Sequence, residues 1–96
     1  MIPKKVFICG IPHKVILCED NFDTDLHLGQ INYGSATIRI NGSSSDELQE
    51  EALFHEMLHG MLVHLGRNDE AQNECFVQSL ANAIYQSFQL REGKYE

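Results

Sequence analysis

The sequence predicts an α+β domain: a small N-terminal β-hairpin sheet followed by two helices. Three observations carry this. Residues 1–40 contain short apolar and β-branched runs broken by Gly, Pro and polar clusters, the pattern of strands and turns. Beyond residue 45 come helix-capping signals, and from Phe76 to Phe88 the apolar residues recur at three- and four-residue intervals, the helical period. Strands first and helices afterwards, rather than in alternation, is the order of an α+β domain. The 96 residues suit a single domain.

Residues 6–9 and 14–18 read as strands, with Gly10, Pro12 and His13 between them and a turn expected at Pro12-His13. Cys9 and Cys18 would then sit symmetrically about that turn, as two buried thiols able to face each other. Residues 21–25 are polar and read as a loop. Residues 30–33 and 36–40 flank Gly34-Ser35, which suggests a second hairpin. Ser44, with Glu47 three positions later, fits a capping box. The first helix is expected over residues 46–65, with Gly66 ending it. Asn68 or Asp69 then caps a second helix running to about Leu90. Phe76, Val77, Leu80, Ala81, Ile84 and Phe88 form its apolar stripe.

Composition excludes several classes of function. The net charge is -7 and the seven basic residues are scattered, which argues against nucleic-acid binding, since phosphate neutralisation needs clustered Lys and Arg. No run approaches the roughly 20 apolar residues of a membrane span, and no signal peptide is visible. Three cysteines are an odd number, unlike a secreted disulfide framework. The expected compartment is therefore the reducing cytosol.

The first helix carries His55-Glu56-Met57-Leu58-His59, the HExxH pattern. Residues i and i+4 are one turn plus about 40° apart, so both imidazoles project from one face. Two neutral imidazole nitrogens so placed suit Zn²⁺. Glu56, about 100° around the helix from His55, is placed to act as general base on a metal-activated water. The pattern thus points to a zinc-dependent metallopeptidase acting on peptide or protein substrates.

A catalytic zinc takes three protein ligands and keeps one position open. His64 is nine residues, or about 900°, from His55, and so falls on the opposite face. It is expected to be a surface or packing residue. The second helix offers Glu74, close to the side that carries Val77 and Ala81, where a carboxylate is costly unless neutralised. Asp69 and Glu70 are the alternatives, though acids at a helix start also serve as caps. A donor for the developing oxyanion is also expected; Tyr33, Tyr85, His13 and His27 are the unranked candidates.

Residues 54–60 around the HExxH motif, together with residues 73–83 from Asn73-Glu74 onward, resemble the small phage and prophage zinc metallopeptidases. These are minimal gluzincins related to the ImmA/IrrE class, and the resemblance covers roughly residues 28–90. It implies a minimal zincin: an active-site helix, a ligand-bearing helix with Glu74 as third zinc ligand beside His55 and His59, and a sheet edge beside the cleft. Residues 36–40 match that edge strand best, where an extended substrate would pair. Two rival readings remain at this level. One is a non-catalytic, zinc-stabilised interaction module; the other is a metal-free interaction protein.

Overall fold

The computed structural model describes residues 2–19 and 28–88. The loop expected at 21–25, the candidate donor His27 and the helix end near Leu90 lie outside the described residues.

Strands β1 (Lys5–Ile8) and β2 (Ile11–Cys18) form an antiparallel hairpin with Ile8 opposite Ile11. Its turn is Cys9-Gly10, not Pro12-His13. Cys9 has φ 50° and Gly10 φ 83°, two successive left-handed residues, as a two-residue type I′ turn requires. Pro12 instead lies within β2 opposite Phe7, ahead of Lys14, where β2 gains its second partner. With one flanking strand there, its missing N–H is tolerated. The two thiols therefore do not face each other. Cys9 is exposed in the turn, while Cys18 is half-buried at the far end of β2, where its sulfur accepts a hydrogen bond from Arg39 Nε at 3.3 Å.

Strands β3 (Gly29–Asn32) and β4 (Thr37–Asn41) form the second hairpin around the Gly34-Ser35 turn. The strand order is β1-β2-β4-β3, and β2 pairs with β4 in parallel, with Val15 opposite Ile38 and Leu17 opposite Ile40. Residues 36–40 are thus not the edge. The parallel pairing occupies the other side of β4 and leaves β3 as the edge strand. Ile38 and Ile40 accordingly have no exposed surface, as fits a strand flanked on both sides.

Helix α1 (Asp46–His64) starts one residue later than the capping box implied. Ser45 Oγ accepts from the Leu48 N–H at 3.3 Å. Ser44 is turned back into the preceding loop, where its hydroxyl donates to the Asn41 carbonyl at 2.7 Å. The buried Gln49 amide ties the same loop by donating to the Gly42 and Ser44 carbonyls. The other end follows expectation. Gly66 has φ 77° and donates to the Val63 carbonyl, and Arg67 N–H reaches the Leu62 carbonyl, the two bonds of a Schellman cap.

The expected second helix is two. Helix α2 (Asn68–Ala71) is one turn, and α3 (Glu74–Phe88) starts afresh. Asn73 causes the break: its Oδ1 accepts from Phe76 N–H at 3.0 Å. A short polar side chain that bonds nearby backbone favours a cap over a helix interior. Neither Asn68 nor Asp69 serves as the cap of α2, which follows Arg67 without any side-chain capping bond.

One core lies between the sheet and α1, built from Ile8, Val15, Ile38, Ile40, Ala52 and Leu53. A second joins α1 to α3 through Leu58, Val77 and Ala81. Among the described residues no helix is long and apolar enough to cross a membrane. Gly60 sets how closely α1 approaches the sheet. A Cβ there would lie 3.0 Å from Ile8 Cδ1 and 3.2 Å from Ile31 Cδ1. Gly60→Leu is therefore expected to destabilise the fold by roughly 2 kcal/mol, since overpacking a core outweighs the gain of about 1 kcal/mol from replacing a helical glycine. A chemical-denaturation midpoint equal to wild type would contradict this close approach.

Candidate metal centre

Helix α1 presents His55 and His59 one turn apart, and α3 brings Glu74 to them from across the α1–α3 core. Glu74 is the first residue of α3, so the break at Asn73 positions it. Glu74 Oε1 lies 3.0 Å from His55 Nε2, and Oε2 lies 3.4 Å from His59 Nε2. The two imidazole Nε2 atoms are 3.1 Å apart. A tetrahedral zinc-type centre with bonds of about 2.0–2.1 Å has ligand–ligand edges of about 3.3–3.4 Å. The imidazole–imidazole separation of 3.1 Å is close to such an edge, and the Glu74 carboxylate spans the pair with Oε1 at 3.0 Å from one Nε2 and Oε2 at 3.4 Å from the other. Their donor set, two imidazoles and one carboxylate, can hold a metal ion. The burial argument for Glu74 does not hold, since its side chain is 69% exposed. It is placed by the helix start, not by a core-facing position.

Gln78, one turn after Glu74, is a neighbour of the candidate centre that sequence reasoning missed. Its Nε2 donates to Asn82 Oδ1 at 3.0 Å, so its Oε1 faces His55 Nδ1 at 2.7 Å. With a metal held at Nε2, the ring proton would sit on Nδ1 and donate to Gln78 Oε1. Outer hydrogen bonds of this kind fix the tautomer and orientation of a ligating histidine. The signal was present as the spacing Glu74, Gln78, Asn82, a polar row at i, i+4, i+8 beside the apolar stripe.

The three groups open onto a cleft of about 680 Å³, lined also by Glu56, by Glu51 and by residues 28–31 of the β3 edge. Glu56 is 7% exposed. It packs on Gly29, where an added Cβ would stand 3.2 Å from Glu56 Cγ and 3.3 Å from the Arg39 carbonyl oxygen. The base candidate is thus held between its helix and the edge strand.

The remaining candidates separate. Tyr33 lines the cleft. Burial pushes its phenol above the ordinary value, and the charges of Glu56 and Glu74 add to the rise. Tyr85 instead donates to Glu50 Oε1 at 3.0 Å and packs on Phe54. His13 is buried on the hairpin, with Nδ1 at 2.9 Å from the Ile11 carbonyl, and its ring meets that of His64 edge-on at 6.3 Å. His64 is therefore a packing residue away from the centre. Glu70 pairs with Arg67 at 2.9 Å, which holds its carboxyl below the usual range. Neither Asp69 nor Glu70 joins the group. Comparison with protein-family models, with curated proteins and with solved structures finds no match to this chain.

Proposed function

We propose that this protein is a zinc-dependent metallopeptidase with His55, His59 and Glu74 as ligands and Glu56 as general base. The observation that carries the reading is the convergence of His55, His59 and Glu74 donor atoms beside Glu56 in one open cleft. Structural zinc sites are closed by four protein ligands, whereas three ligands and an open position mark catalytic ones. A bound zinc would supply a Lewis acid and lower the pKa of a coordinated water to near 7. The chain's own residues do the rest. Glu56 accepts the proton of the attacking water and delivers it to the leaving amine. The β3 edge offers backbone groups to an extended peptide or protein substrate, as exposed edges do. The HExxH motif and the Asn73-Glu74 pair support grouping the chain with the minimal gluzincins of phages and prophages, the ImmA/IrrE class. Free thiols at Cys9, Cys18 and Cys75 support a cytosolic setting, since disulfides are rare there.

The test is metal content with activity. Protein purified without chelators or a metal-affinity tag is expected to hold about one zinc per chain. Chelation should abolish cleavage of a fluorogenic peptide library and destabilise so small a domain. Zinc addition should restore both. Absence of any transition metal, with stability indifferent to chelator and zinc alike, would sink the reading.

A further inference from the structure

Hydrolysis of a peptide bond builds negative charge on the scissile carbonyl oxygen, and that charge needs a donor. The cleft is short of donors. No Lys or Arg lines it among the described residues, and its side walls carry the carboxylates Glu51, Glu56 and Glu74. The Gln78 amide is committed to Asn82 and His55. Gln30 alternates along β3 with Ile31, whose side chain meets α1 at Gly60. Gln30 borders the cleft, but by this alternation its side chain leaves from the other face of the sheet. Tyr85 and His13 are engaged elsewhere.

Tyr33 is different on three counts. It follows β3 directly, in the turn that leads into β4, at the end of the edge along which a substrate backbone would lie. Its side chain lines the cleft with His55, Glu56, His59 and Glu74. Among the described residues its hydroxyl has no hydrogen-bond partner, and the residue is 46% exposed. A phenol titrates near 10 and so keeps its proton at neutral pH.

We infer that Tyr33 is a catalytic residue whose hydroxyl donates a hydrogen bond to the scissile carbonyl oxygen as it becomes an oxyanion. This rests on the hydrolase reading above. In the step, water adds to the carbonyl carbon and gives its proton to Glu56. The C–N bond then breaks, and the proton passes from Glu56 to the departing amine. Tyr33 neither gains nor loses a proton; it donates throughout, most strongly while the charge is on oxygen.

The experiment compares zinc-loaded wild type, Tyr33→Phe and Glu56→Gln. Three readouts are taken: zinc content with thermal stability, binding of acetohydroxamic acid by calorimetry, and peptide-library cleavage. The carbonyl oxygen of the hydroxamate anion stands in for the scissile carbonyl oxygen, so the binding readout does not depend on finding the natural substrate. Tyr33→Phe is expected to keep its zinc and melting temperature while binding acetohydroxamate at least about tenfold more weakly, as loss of a hydrogen bond to a charged group implies. In cleavage, kcat should fall by a similar factor with KM little changed. Unchanged hydroxamate affinity and unchanged kcat in Tyr33→Phe, with Glu56→Gln inactive, would overturn the role of Tyr33 and leave the hydrolase reading standing. Weaker hydroxamate binding by Tyr33→Phe, beside a zinc-loaded wild type that cleaves nothing, would overturn the catalytic role and the hydrolase reading together. Failure of the zinc-loaded wild type to bind hydroxamate would overturn the inference outright.

Discussion

Glu56→Gln is expected to retain zinc and fold while lowering peptide cleavage by about 10²–10⁴-fold, the usual contribution of a positioned general base. The amide has nearly the volume of the carboxylate but cannot take the proton. Volume matters here, because the side chain is buried against Gly29 and the β3 edge. A larger residue would move the strand, and a smaller one would leave a gap, and either would confuse a chemical effect with a structural one. Metal analysis and a thermal melt establish that the variant is intact; initial rates on the peptide library then isolate the chemistry. Cleavage by Glu56→Gln at close to the wild-type rate would remove Glu56 from the role of base. Retained zinc with lost cleavage would also set aside the rival reading of a non-catalytic zinc module.

Glu74→Ala is expected to weaken zinc binding by more than the roughly 10–100-fold that loss of an outer hydrogen-bonding partner costs, because it removes a donor at 3.0 and 3.4 Å from both imidazole nitrogens. Two histidines on one helix turn would remain. His64→Ala should leave zinc affinity nearly unchanged, since its ring packs edge-on against His13. Asp69→Ala should do the same. Glu70→Ala removes only an exposed pair with Arg67, a type of contact worth little. A competitive zinc titration of the four variants decides the matter. Loss of metal in Asp69→Ala or Glu70→Ala, with metal kept in Glu74→Ala, would move the third ligand to α2 and undo the gluzincin resemblance.

What could be read along the chain was what neighbouring residues decide among themselves. His55 and His59 share a helix face because 3.6 residues make a turn. Gly66 ends α1 because the left-handed cap needs a residue without a Cβ penalty. The second hairpin follows from Gly34-Ser35 between apolar runs, and strands followed by helices placed the chain in the α+β class. The errors were local ones too. Cys9-Gly10 is an unusual turn pair beside the more conspicuous Pro12-His13, Ser44 and Ser45 competed for one cap, and the Asn73 side chain starts a new helix just ahead of the apolar stripe.

Pairing between distant segments was not legible, and it decides most about the site. Nothing in residues 14–18 or 37–41 announces that β2 and β4 run parallel, yet that pairing buries β4 and makes β3 the edge beside the cleft. The same holds for Gln78, whose amide meets His55 across 23 positions of sequence, and for Tyr33, one of four equivalent candidates until the fold carried it into the cleft. Backbone period and capping chemistry act within one or two turns, so a sequence expresses them directly. Which strand lies beside which, and which polar group faces a histidine from another helix, depends on how the Ile8–Ile38–Ile40 and Leu58–Val77–Ala81 cores close. Side chains of similar size and polarity could fill those cores in more than one order, and only the packed structure selects among them.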